Sequence, residues 1–143
     1  MKQVISLVGG AAGAPILSER LAGVAGIVAG MLVAESAGTV IKNATADALA
    51  QKLFAQTNVA VAGDIDLAYA NGETVSYGAY HAGQEVNALV AAAAPAIVDG
   101  DPLASAGDGT LKKGTVATAI AYAIEAVDNS GGGTTVRIKA RVA

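Results

Sequence analysis

Chemistry at neutral pH needs convergent titratable or nucleophilic groups, and this 143-residue chain offers few. Its one histidine is His81, it has no cysteine, and no His-x-x-x-His or Glu-x-x-His spacing supplies a metal-ligand pair. A lone histidine in a tyrosine-rich turn reads as structural. Ser6, Ser18, Ser36, Ser76, Ser105 and Ser130 include no Gly-x-Ser-x-Gly elbow, so acyl transfer has no visible nucleophile. The run Gly9-Gly10-Ala11-Ala12-Gly13 follows an alternating stretch, as a dinucleotide-binding turn would. It lacks the Gly-x-Gly-x-x-Gly spacing, and Pro15 would remove a donor from the phosphate-binding helix. Asp99-Gly100-Asp101 begins like a calcium loop, but Leu103 stands where a third oxygen ligand belongs and no Glu closes it. Asn43-Ala44-Thr45 matches a glycosylation acceptor and carries no weight without a secretory signal. We therefore expect no catalytic residues, no metal and no cofactor.

One polar pattern remains. Arg137, Lys139 and Arg141 alternate with Val136, Ile138, Ala140 and Val142, which puts three cations on one face of a strand. Such a stripe is commonly a solvated edge that discourages aggregation. It is also the candidate contact to an acidic partner surface or subunit.

Composition sets the rest. Hydrophobic residues make up 53% of the chain and charged ones 15%, with a formal net charge of −3 and five aromatic rings in all. Ala and Gly keep the mass at 13.9 kDa, so the core must be assembled from Val, Ile, Leu and Ala. So little polar surface scarcely coats a monomer, which predicts a homo-oligomer. Without cysteine, disulfides and thiol chemistry are excluded. Between Leu53 and Leu111 lie seven acids and no Lys or Arg, an unfavourable surface for phosphates, so no nucleic-acid partner is expected. Leu21 to Ala34 is the most apolar stretch, yet it is too short to span a bilayer as a helix, and no membrane role is expected. Met1 to Gly9 is too short an apolar run for a secretory signal, so synthesis in the cytoplasm is expected.

The elements that must carry these residues read as short strands. Lys2 to Val8 alternates, and Gly9 to Pro15 is a glycine-rich turn. Ile27 to Ala34 and Thr39 to Lys42 read as a hairpin or meander. Thr45 to Gln56 is the best helical candidate, because Ala46, Leu49, Ala50 and Leu53 share a face. Asp64 to Tyr69, the Asn71-Gly72 turn and Thr74 to Tyr80 predict a hairpin. Glu85 to Val90 alternates, Pro95 and Pro102 cut the next stretch into short pieces, and Thr115 to Val127 reads as a buried strand. Val136 to Val142 is the clearest strand of all. The expectation is an all-β fold: a small β-barrel or sandwich of short strands with at most one short helix. Residues 1–20 would form an N-terminal arm or edge strand, and 21–143 a single β-rich domain.

Several of these pieces together resemble a known family. Lys52-Leu53-Phe54-Ala55, Asp64 to Val75, Glu85 to Val90, Gly100 to Leu111 and Ala123 to Ser130 follow the order seen in head decoration (capsid cement) proteins of tailed bacteriophages. The resemblance covers most of residues 50–143 and is less distinct before them. It implies a virion protein on the outer capsid surface that cements neighbouring copies of the phage major capsid protein. It also implies a homo-oligomer, with a trimer favoured over a dimer because trimers suit threefold sites. Residues Met1 to Arg20, or a nearby loop, would then add a strand to the capsid or lie along it. Arg137, Lys139 and Arg141 become candidate capsid or subunit contacts. The alternatives are another virion component, such as a head fibre base or minor capsid protein, and a small ligand-binding β-barrel.

Overall fold

The computed structural model describes residues 15–57 and 64–143. The strand predicted at 2–8 and the glycine turn after it, up to residue 14, lie outside the described residues. The fold is all-β, and the described residues form ten short strands. They are β1 (Ile16–Leu21), β2 (Val33–Ser36), β3 (Thr39–Lys42), β4 (Leu53–Ala55), β5 (Thr74–Ala79), β6 (Glu85–Val90), β7 (Pro102–Ser105), β8 (Leu111–Lys113), β9 (Ala121–Ala123) and β10 (Val136–Val142). The only helical turn among the described residues is 3-10, at Val116–Thr118.

Three sheets result. β1, β5 and β4 form one in that order, and β2 and β3 form a hairpin. The remaining strands close a ring in the order β10, β6, β8, β7, β9 and back to β10. That barrel narrows at one seam, where β6 and β8 meet through the single parallel pair Val90 and Leu111. The β2–β3 hairpin turns at Ala37 and Gly38, both with positive φ (47° and 81°), which is the mirror-image turn whose twist suits a two-residue loop.

Two apolar cores lie back to back. One fills the barrel with Val86, Val90, Ile97, Leu103, Leu111, Ile120 and Ile138. The other lies under the three-stranded sheet and contains Ile27, Val40, Tyr69, Val75 and Tyr77. Strand alternation stitches them together. Leu32 and Phe54 point into the barrel core, while Val33, Leu53 and Ala55 point into the sheet core.

Three local expectations are corrected. Residues 45–56 form no helix: Asp47 takes a left-handed φ of 52° and gives its N–H to the Ser105 carbonyl. Leu49, on the predicted apolar face, is exposed, and Leu53 to Ala55 instead pair with β5, whose open edge offers a ladder that helix propensity does not outweigh. The Asn71-Gly72 turn forms, with Gly72 at φ 82° and the Glu73 carboxylate accepting the Ala70 N–H at 2.6 Å. No hairpin follows from it. β5 is flanked on both edges by β1 and β4, so Tyr69 pairs with Ile27 instead. Finally, the stretch 115–127 is strand only at Ala121–Ala123. Its start coils into the 3-10 turn, held by the Thr118 hydroxyl donating to the Thr115 carbonyl.

Candidate docking surface

The basic stripe on β10 is largely satisfied within the chain. Arg137 reaches across to the sheet half of the molecule, where Nη1 donates to the Ala29 carbonyl (2.9 Å) and Nη2 to the Ile65 carbonyl (2.9 Å) and Asp66 Oδ1 (2.6 Å). Gly30 makes this approach feasible, since a Cβ there would sit 2.3 Å from the Asn87 carbonyl and 3.0 Å from Arg137 Nη1. Arg141 pairs with Glu85 at 3.2 Å. Lys139 is exposed, and among the described residues no carboxylate pairs with its ammonium; its backbone N–H donates to Glu125 Oε1 at 2.7 Å.

Ion pairs also neutralise part of the acidic block. Of its seven carboxylates, Asp66 and Glu85 meet the β10 arginines, and Asp101 meets Lys113 at 2.8 Å. The Lys113 contact and the Val98 N–H hold the Asp101 carboxyl below the usual carboxylate range. Asp99-Gly100-Asp101 is thus a turn closed by an aspartate. No group of three His, Cys, Asp or Glu able to hold a metal occurs among the described residues. His81 lies in the exposed turn after β5, where its backbone N–H donates to Gln84 Oε1 at 2.7 Å. A cleft of about 420 Å³ opens beside Arg137, lined also by Val28, Met31, Leu89 and Val136. Its one arginine is already matched by Asp66 across the mouth.

The surface that departs from ordinary practice is β1. All six of its residues are exposed, including Ile16 (54%), Leu17 (61%) and Leu21 (53%), and exposed Val24 follows. A strand that buries neither face yet carries three large apolar side chains is unusual on a finished surface. Its register with β5 explains the arrangement. Ser18 lies opposite Tyr77 and Arg20 opposite Val75, so the even-numbered side chains share the core side of the sheet. There Arg20 meets Glu35 at 3.4 Å, and Glu35 accepts the Tyr77 hydroxyl at 2.5 Å. Leu17, Glu19 and Leu21 take the other face, opposite Gly78, Ser76 and Thr74.

β1 is also an edge. Ala22 donates to the Glu73 carbonyl and accepts from Gly72, so ladder alternation gives the even-numbered residues their bonds to β5. Gly23 turns the other way and donates to Val40 of β3. The N–H and C=O groups of Leu17 and Glu19 therefore point to an edge that no described strand covers.

No family model matches the chain, and no curated protein sequence matches it. The resemblance to decoration proteins therefore has no family model behind it. A solved structure does correspond. The crystal structure of the head fiber gp8.5 N base in bacteriophage phi29 superposes with a TM-score of 0.55 at 15% identity, over 91% of this chain and 95% of that one. The two proteins share one fold. At that identity the likeness is one of fold, and it extends across both the sheet and the barrel.

Proposed function

We propose that this chain is a structural component of a bacteriophage virion, built like the base of a head fibre and seated on the outer surface of the head. The fold correspondence carries the reading, because it takes in 91% of this chain and 95% of the head fiber base. The exposed β1 edge supports it, since a protein that works by attachment needs an unsatisfied surface and this one has it on a strand. Attachment repeated by the symmetry of a head needs no chemistry and little affinity per site. In this reading the chain is a homo-oligomer, a trimer before a dimer, and its partner is the major capsid protein. Cementing of neighbouring capsid subunits is the second reading, favoured by the ordered motifs at 52–55, 64–75, 85–90, 100–111 and 123–130.

Cryo-electron microscopy of heads made without this protein and then saturated with it is the test. Density standing as separate protrusions supports the fibre base. Density bridging every capsomer junction supports cementing, and heads that stay bare overturn both. Leu17→Asp should abolish the density while leaving the fold intact, because Leu17 touches no core.

A further inference from the structure

The chemistry of the β1 edge specifies what can dock there. Among the described residues no strand pairs with the outward backbone groups of Leu17 and Glu19, and the bridge between Ala22 and Val40 occupies the edge beyond Leu21. A docking strand can thus pair opposite residues 16–20 at most. On the outward face Glu19 lies between Leu17 and Leu21, and no described cation pairs with it. Covering the two leucines removes water from that carboxylate as well, and a carboxylate desolvated without a counter-charge opposes binding.

We propose that β1 takes an extended segment of a different polypeptide as an added strand, with a Lys or Arg opposite Glu19 and an apolar residue two positions away opposite Leu17. Leu21 then packs on the aliphatic stem of that basic residue, whose charge remains at Glu19. A second copy of β1 does not satisfy the site. Two-fold antiparallel pairing centred on residue 17, 18 or 19 places Glu19 against Pro15, Leu17 or Glu19, and none is a cation. Arg20 does not help, since its side chain lies on the core face with Glu35.

The inference rests on the docking role of β1 proposed above and adds the chemistry of its partner. The probes are two seven-residue peptides alternating Thr with Leu, Lys and Leu, or with Leu, Glu and Leu, titrated into the full-length protein and followed by amide chemical shifts. The Lys peptide should bind about tenfold more tightly than the Glu peptide, with shifts concentrated at residues 16–21, and Glu19→Lys should reverse the preference. Equal binding, no binding by either peptide, or shifts centred elsewhere overturns it. A free oligomer that Leu17→Asp dissociates in light scattering, with neither peptide binding, also overturns it and assigns the edge to a second copy. Head density lost with Leu17→Asp but unchanged with Glu19→Lys overturns the basic partner alone. Bare heads together with the expected peptide preference overturn the virion role alone.

Discussion

At the scale of single residues, the charged groups mostly serve the chain itself. Arg137 ties β10 of the barrel to the loops at 29 and 65–66, a role that its alternation with apolar neighbours did not foreshadow. Asn129 is the polar counterpart. It is buried and donates to the carbonyls of Ala91 and Thr134, closing the glycine loop before β10. Asn129→Ala leaves both carbonyls without that donor and should cost about 1–3 kcal/mol, read as a lower urea midpoint at unchanged slope. Tyr77 sets an alkaline limit. Burial, and then its hydrogen bond to Glu35, raise its phenol above the ordinary tyrosine range. The fold prefers the protonated ring, so this contribution is complete below that range and is lost as pH rises through it. Urea midpoints taken from about pH 9 to 11 should fall with pH, and Tyr77→Phe should flatten the fall.

At the scale of elements, legibility followed burial on one face. β10 was readable because Ile138, Ala140 and Val142 face a core while Lys139 and Arg141 face solvent, which stamps period two on the sequence. The stretch 45–56 was not, because its alanines and leucines satisfy helical spacing and only the open edge of β5 decides that Leu53 to Ala55 extend. β1 shows the opposite case, a strand held by its ladder with no buried residue of its own. Its amides should exchange with deuterium before those of β5, β6 and β10; equal protection would mean that β1 is more firmly held than its burial suggests. The β2–β3 turn offers a stabilising change. Ala37 occupies a left-handed φ that asparagine tolerates better, so Ala37→Asn should raise stability by up to about 1 kcal/mol in a thermal melt.

At the scale of the whole molecule, two small cores are joined through strands that face both. Phe54 is fully buried in the barrel core and meets Tyr80 edge-on with centroids 5.6 Å apart, while its neighbours Leu53 and Ala55 serve the other core. Neither half should therefore melt alone. Phe54→Ala should cost about 3–5 kcal/mol, and unfolding followed by far-UV and tyrosine near-UV signals should still give one coincident transition. Two separated transitions would show the sheet and barrel to be independent.

By itself the sequence determined the class of fold. Small β-branched and alanine-rich runs cut by Gly, Asn and Pro cannot build long helices, and their two-residue period predicts short strands around a modest core. It also fixed β3, β6 and β10, and the Asn71-Gly72 turn, since each is set by residues adjacent in the chain. Only the tertiary structure decided which strands pair. Register and neighbours depend on contacts between residues far apart, such as Arg137 with Ala29, and no local pattern encodes them. The docking surface was legible only in outline. Residues 1–20 read as an arm or edge strand, but that Ile16, Leu17 and Leu21 stay outside both cores, on an edge that no described strand covers, depends on where β5 and β3 lie.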